Sequence, residues 1–227
     1  MDDRFQRLKI LIGDENFSKL ADSTVAVFGV GGVGSFAVEA LARSGVGHLV
    51  LVDKDFIDAT NINRQLHALT STIGRSKVEV MRERICEINP AAHVTAIQKF
   101  FLPTEPVEDF FVCKFDYVVD AIDNLTAKIF LVEECERRGV KIISSMGAGN
   151  KLDPTRFKVG DIFQTSVDPV AKILRKKLRE RGIKNLRVVW SDEVPRPVKD
   201  FIGSAAFVPS VAGLILASEV VRDLING

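Results

Sequence analysis

A doubly wound α/β fold with a mostly parallel sheet is predicted by three features of the sequence. Short apolar runs of the buried-strand type alternate with segments of helical period as far as residue 145. The run Gly29-Val30-Gly31-Gly32-Val33-Gly34 lies between the first such strand and a helix, and Asp53 ends the next strand. A glycine turn between strand and helix with an acid on the following strand is the signature of a nucleotide-binding βαβ unit.

Taken in order, residues 4–21 read as one or two helices interrupted at Gly13-Asp14, with Phe5, Leu8, Leu11 and Ile12 as the apolar stripe. Residues 24–28 are a strand, 33–44 a helix and 48–52 a second strand. The polar stretch 53–69 has no clean period and reads as loop with short helical turns. Val78, Met81, Ile85 and Ile88 recur at spacings of three and four, so 76–89 is a helix, ended by Asn89-Pro90. Strands follow at 94–98, 117–121 and 141–145, with a helix at 126–138 closed by Gly139. Beyond 145 the pattern changes. A small-residue turn at 146–149 precedes a strand of different partnership at 157–163, a basic helix opened by Asp168-Pro169 and running to about 181, a strand at 186–191, an irregular Pro-bearing stretch at 192–200 and an apolar closing helix at 208–225. The organisation is one domain over 1–227, with a nucleotide-binding core in 1–150 and a substrate-facing elaboration in 151–227.

Formal charge is +1 from 31 basic and 30 acidic residues, so no global field attracts nucleic acid or membrane and any basic footprint is local. Hydrophobic residues make up 46% of the chain, yet no run approaches the roughly 20 apolar residues of a membrane span. Cys86, Cys113 and Cys135 form an odd set without a CxxC pair, which excludes a disulfide framework and a zinc knuckle and points to a reducing cytosol. All three read as packing residues.

Gly29, Gly31, Gly32 and Gly34 allow a tight turn and close backbone approach at a helix N-terminus, where an anion is favoured, and Asp53 is placed to accept from ribose hydroxyls. That much fits NAD as well as ATP. The second element, Asn61-Ile62-Asn63-Arg64-Gln65 followed by Lys77, favours ATP, because attack on a phosphate needs cations where the leaving pyrophosphate gathers charge and hydride transfer does not. Asp123 and Asn124 follow a strand at the carboxyl edge of the sheet; a carboxylate there holds Mg²⁺ against phosphates, and the ordinary alternative for Asp123 is a helix N-cap. Asp120 is expected to fix the loop.

The glycine loop, Asp53, Asn61, Arg64-Gln65, Lys77 and Asp123-Asn124 together resemble the adenylating domain of the ubiquitin-activating-like enzymes, a group that includes the molybdopterin-synthase and thiamine sulfur-carrier adenylyltransferases. The resemblance implies conversion of a carboxylate and MgATP into an acyl adenylate and pyrophosphate. It implies that Asp53 binds ribose, that Asn61, Arg64 and Lys77 contact phosphates, that Gln65 and Asn124 belong to the nucleotide site, and that Asp123 serves magnesium. Arg4-Phe5-Gln6-Arg7 is similar to the family's N-terminal arginine motif, which implies a homodimer with Arg7 reaching the partner's ATP.

Residues 144–149, Asp153-Pro154-Thr155, Asp168 to Lys172 and 203–206 are similar to the branch of that family that dehydrates threonylcarbamoyladenosine in tRNA. The resemblance, over about residues 4–225, implies adenylation of the threonylcarbamoyl carboxylate beside the anticodon and closure to the cyclic form. No cysteine follows Cys135, which fits ring closure by a nucleophile already on the substrate. A tRNA substrate needs a phosphate-binding surface, and Lys172, Arg175, Lys176, Lys177 and Arg179, followed by Arg181, Lys184 and Arg187, supply a basic stretch for it. Trp190 and Phe201 read as packing residues. The rival within the family is a sulfur-carrier adenylyltransferase acting on a protein ending in Gly-Gly. A cysteine desulfurase or sulfur acceptor is left open as a partner, and the carbonyl-rich turn at 146–149 leaves room for a monovalent cation. Between Trp190 and Gly203 the chain is shorter than its resemblance leads one to expect.

Overall fold

In a computed structural model, which describes residues 3–197 and 202–227, one seven-stranded sheet forms the centre of the molecule. Its strands are β1 (Thr24–Phe28), β2 (His48–Val52), β3 (His93–Ile97), β4 (Tyr117–Asp120), β5 (Lys141–Ser145), β6 (Phe157–Asp161) and β7 (Arg187–Ser191). The spatial order is β3-β2-β1-β4-β5-β7-β6, parallel throughout except for the antiparallel β6 at one edge. This is the different partnership expected for residues 157–163, although that strand stops at Asp161 and a 3-10 turn takes over. The order reverses between β1 and β4, so the crevice at their carboxyl ends is where an open α/β sheet binds its ligand.

The helices are α1 (Gln6–Ile12), α2 (Asp14–Asp22), α3 (Gly34–Arg43), α4 (Lys77–Ile88), α5 (Leu125–Arg138), α6 (Pro169–Glu180) and α7 (Phe207–Asn226). On one face of the sheet Ala37, Val38 and Leu41 of α3, Val78, Met81 and Ile85 of α4 and Ala212, Leu216 and Val220 of α7 bury against Val25, Val27, Leu49 and Leu51. On the other, Ala127, Leu131 and Cys135 of α5 join a phenylalanine cluster built on Phe28, Phe101, Phe110 and Phe111. A third cluster seats α6 through Ala171, Leu174 and Leu178, spaced at three and four, beside Trp190. Trp190 is therefore a packing residue, its ring against Gly160, while Phe201 lies outside the described residues.

No side chain of α1 is fully buried: of the apolar stripe Leu11 is 80% exposed, while Phe5, Leu8 and Ile12 are half-buried and the Phe5 ring lies 5.3 Å from that of Phe17. One expectation about packing is corrected. Cys86 and Cys113 are exposed and only Cys135 packs. Cys86 follows Ile85 by one residue and so turns about 100° off the apolar stripe of α4, and Cys113 lies past Phe110 and Phe111, where the chain returns to the surface. The buried Cys135 thiol is pushed well above the usual range by desolvation, which suits a packing residue and not a nucleophile. Among the described residues no helix is long and apolar enough to cross a membrane.

Candidate functional site

At the β1–β4 crevice the chain leaves β1 through Gly29, whose φ of +87° favours glycine; a Cβ there would lie 2.6 Å from the Ala121 carbonyl oxygen. Gly34 packs closer still, since a Cβ on it would stand 1.8 Å from the Gly29 oxygen. The two glycines thus let the first turn of α3 fold back onto β1. Ser35 N–H donates to the Gly31 carbonyl, whereas the N–H groups of Gly31 and Gly32 meet no protein acceptor among the described residues. Free amides at the start of a helix form a phosphate cradle.

The cradle opens into a cleft of about 430 Å³. Gly29, Gly31, Gly32, Asp53, Arg64, Gln65, Lys77 and Asp123 all line it. Asp53 holds the loop: Oδ2 accepts Val30 N–H at 2.7 Å and Oδ1 accepts Asp55 N–H at 2.9 Å, leaving a lone pair on each oxygen for a ligand. Lys77 opens α4, is buried, and sits 3.1 Å from Asp55 Oδ2. Burial drives the Asp55 carboxyl upward, but hydrogen bonds from Lys54 and Lys77 outweigh it and hold the group below the ordinary carboxylate range. Arg64 is anchored by its Nη1, which donates to Thr60 O and Asn63 Oδ1. Gln65 is buried with its Oε1 unpartnered, a polar atom left over at the cleft wall.

Four of the residues named from the sequence lie outside the cleft lining, Arg7 among them as its expected role from a partner subunit requires. Asn61 is buried outside the lining, and its Oδ1 accepts Asp58 N–H in a capping box that closes the short turn before Arg64. Asn124 is the N-cap of α5, its Oδ1 accepting Ala127 N–H, so the capping role first weighed for Asp123 belongs to its neighbour. That leaves the Asp123 carboxylate exposed at the cleft without a hydrogen-bond partner among the described residues. Gly34 packs behind the loop. Arg7 is exposed on α1, and α1–α2 lie at the amino edge of the sheet: Lys19 bonds the Ile225 carbonyl at the end of α7 and Arg4 the Ile88 carbonyl at the end of α4. The cleft is at the opposite edge.

The basic helix is also redistributed. Lys172 and Lys176 are exposed and share a face with Arg179, whose guanidinium lies over the Phe163 ring. Arg175 is drawn inward to Thr165, Lys177 pairs with Glu180, and Arg181 pairs with Glu133. Arg187 leaves the basic surface altogether, because it is the first residue of β7 and is bound by Glu219 and Asp223.

Two lysines escaped the sequence reading. Lys128 of α5 is buried on the cleft floor, donating to Asp120 Oδ2 at 2.7 Å and to the Ser145 carbonyl at 3.0 Å. Its signal was a lysine set among the apolar residues Ala127, Ile129, Leu131 and Val132. Lys151 donates to the Gly147 carbonyl at 2.5 Å and to Asp168 Oδ2 at 2.8 Å, so the turn that leaves room for a monovalent cation also holds the protein's own ammonium. The other oxygen of Asp168 caps α6, which ties the basic helix to the cleft.

The ThiF family model matches residues 5–226. The chain belongs to the ThiF family. Proteins that resemble it include the tRNA threonylcarbamoyladenosine dehydratase of Bacillus subtilis (strain 168), 51% identical over 98% of this chain and 95% of that protein. That alignment spans 242 residues, more than the 227 of this chain, so the relative carries insertions. The Escherichia coli (strain K12) dehydratase is 42% identical over 78% of this chain and 65% of its own length. A solved structure of an E. coli dehydratase, TcdA, in complex with ATP superposes with a TM-score of 0.93 at 37% identity, covering 99% of this chain and 94% of that one. Another relative, the E. coli sulfur carrier protein ThiS adenylyltransferase, is 36% identical over 66% of this chain.

Proposed function

We propose that this ThiF-family chain is an ATP-dependent tRNA threonylcarbamoyladenosine dehydratase. The observation that carries the reading is the extent of the likeness: the Bacillus dehydratase matches 98% of the chain, including the elaboration after residue 150, whereas the ThiS adenylyltransferase matches 66%. The phosphates of ATP lie on the free Gly31 and Gly32 amides, with the ribose at Asp53. Arg64 and Lys77 supply positive charge to the departing pyrophosphate, and Asp55 fixes the Lys77 ammonium. Magnesium fits Asp123, whose carboxylate lines the cleft with no hydrogen-bond partner among the described residues, because this ion is bound through one or two carboxylates together with phosphates, and among the described residues no cluster of three His, Cys, Asp or Glu offers an all-protein cage. Bound there, it would neutralise phosphate charge.

A substrate carboxylate oxygen attacks the α-phosphorus as the bond to pyrophosphate breaks. A nucleophile on the same substrate then attacks the activated carbonyl carbon, loses its proton, and AMP departs with the former carboxylate oxygen. Water is lost overall without an enzyme thioester, in keeping with the buried, unreactive Cys135. The tRNA backbone is gripped by Lys172, Lys176 and Arg179 of α6. Arg7 acts from a second copy of the chain, since its own cleft lies at the far edge of the sheet, and the outward Ile10 and Leu11 give α1 an apolar face for that homodimer. The test is AMP release from ATP and Mg²⁺ with threonylcarbamoyl-modified tRNA, with the same tRNA unmodified, and with a small carrier protein ending in Gly-Gly. AMP release on modified tRNA alone supports the dehydratase; pyrophosphate exchange stimulated by the carrier, which keeps its AMP as an acyl adenylate, with no AMP release on tRNA moves the chain to sulfur-carrier activation.

A further inference from the structure

The imidazole of His67 is 2% exposed, its Nε2 is 2.7 Å from the Val30 carbonyl oxygen, and its Nδ1 has no partner. A carbonyl oxygen only accepts, so Nε2 carries the proton, and a proton on Nδ1 as well would bury an unpaired donor. The ring is therefore neutral. Burial lowers its basicity and the Lys77 ammonium does so further, against the opposing pull of the Val30 carbonyl and Asp53. The backbone around His67 is itself fixed: the Thr72 hydroxyl donates to the His67 carbonyl at 2.7 Å, and Leu66 N–H donates to Ser35 Oγ at the start of α3.

We infer that His67 is a positioning residue for the phosphate cradle, pinning the Val30–Gly31 peptide so that the Gly31 N–H faces the cleft. The peptide is trans, as is every described peptide, so its C=O and N–H point to opposite sides. Holding the carbonyl on a buried ring sends the amide toward the open side, where Gly31 lines the cleft. Asp53 fixes the preceding Val30 N–H, so the loop is held at consecutive peptides from two separate elements. The pin matters because Gly31 has no Cβ to oppose a peptide flip, and a flip would turn a carbonyl oxygen toward the phosphates. The inference rests on the reading of this loop as an ATP site and adds to it the group that sets one donor.

The experiment compares His67→Leu and His67→Gln with the parent protein, measuring the dissociation constants for MgATP and for tRNA and the melting temperature. Leucine removes the donor, and glutamine restores an N–H of similar reach. His67→Leu is expected to weaken MgATP binding by about tenfold with tRNA affinity unchanged, and His67→Gln to stay near the parent. A folded His67→Leu that binds MgATP like the parent, or a folded His67→Gln as weak as His67→Leu, overturns the proposal. Should leucine prevent folding, ¹⁵N NMR of the parent decides: an Nε2–H tautomer and a Gly31 amide that shifts on MgATP addition support the role, and an Nδ1–H tautomer or an unmoved Gly31 amide overturns it. Failure of the parent to bind MgATP contradicts the ATP reading itself and is distinguished by being measured first.

Discussion

Lys128 Nζ lies 2.7 Å from Asp120 Oδ2, with both side chains buried beneath the cleft. Asp120 also accepts from the Ser144 hydroxyl and the Ile122 N–H, and Lys128 from α5 donates to the Ser145 carbonyl, so one ion pair joins β4, β5 and α5 where the ligand-binding edge begins. Removing one partner strands the other charge. Lys128→Met is expected to lose about 3–5 kcal/mol of stability, and the neutral pair Lys128→Met with Asp120→Asn to recover part of it, as read from urea unfolding midpoints. Equal stability of the single variant and the parent would remove this pair from the account.

Arg64→Ala and Asp123→Ala are each expected to slow adenylation by about a hundredfold, with melting temperature close to the parent, because each acts on the phosphates and neither side chain packs the core. Pyrophosphate exchange measures the first, and its magnesium dependence the second. Parent-like rates would take these two residues out of the site.

On α6, Lys172→Ala with Lys176→Ala is expected to weaken tRNA binding and reduce its logarithmic salt slope by about two, while MgATP binding stays unchanged. Arg187→Lys is the control: bound by Glu219 and Asp223, it is expected to leave the slope alone. An unaltered slope in the double variant would show that α6 is a solvated face.

Much of this was legible in the residues. The strand boundaries apart from the end of β6, the glycine loop, Asp53, and the placing of Arg64 and Lys77 at one cleft follow from periodicity and from the chemistry of charge beside a phosphate cradle. The α6 charges were over-counted because a run of lysines and arginines does not reveal which of them finds a partner, as Arg175 does in Thr165 and Arg187 does in Glu219. Asn61 and Asn124 were given ligand roles from motif alone, while their carboxamides hold local turns. Lys128 carried a local signal in its apolar neighbours Ala127, Ile129, Leu131 and Val132, whereas nothing beside Lys151 marks it as buried, since the carboxylate that holds it, Asp168, comes 17 residues later.

Glu39 receives both Arg43 and Arg84 on its carboxylate. Burial pushes this group up, but hydrogen bonds from Arg84 and then Arg43 outweigh it and hold the carboxyl below its ordinary 4.5. The folded state therefore binds this proton less readily than the unfolded chain. Its contribution is complete above 4.5 and is lost as pH falls below that value through the lower folded pKa. Glu39→Gln is expected to flatten the acid limb of stability, checked by unfolding midpoints from neutral pH down through that range; an acid limb as steep as the parent's would assign it to other carboxylates.

The most direct measurement of the central claim is the mass of the modified nucleoside after the purified protein, ATP and Mg²⁺ are incubated with threonylcarbamoyl-modified tRNA. The account predicts loss of one water from that nucleoside, with one AMP released for each ring closed and no change when ATP is withheld. AMP release with the nucleoside mass unchanged, or no reaction on modified tRNA while a Gly-Gly-ended carrier is adenylated, would contradict it.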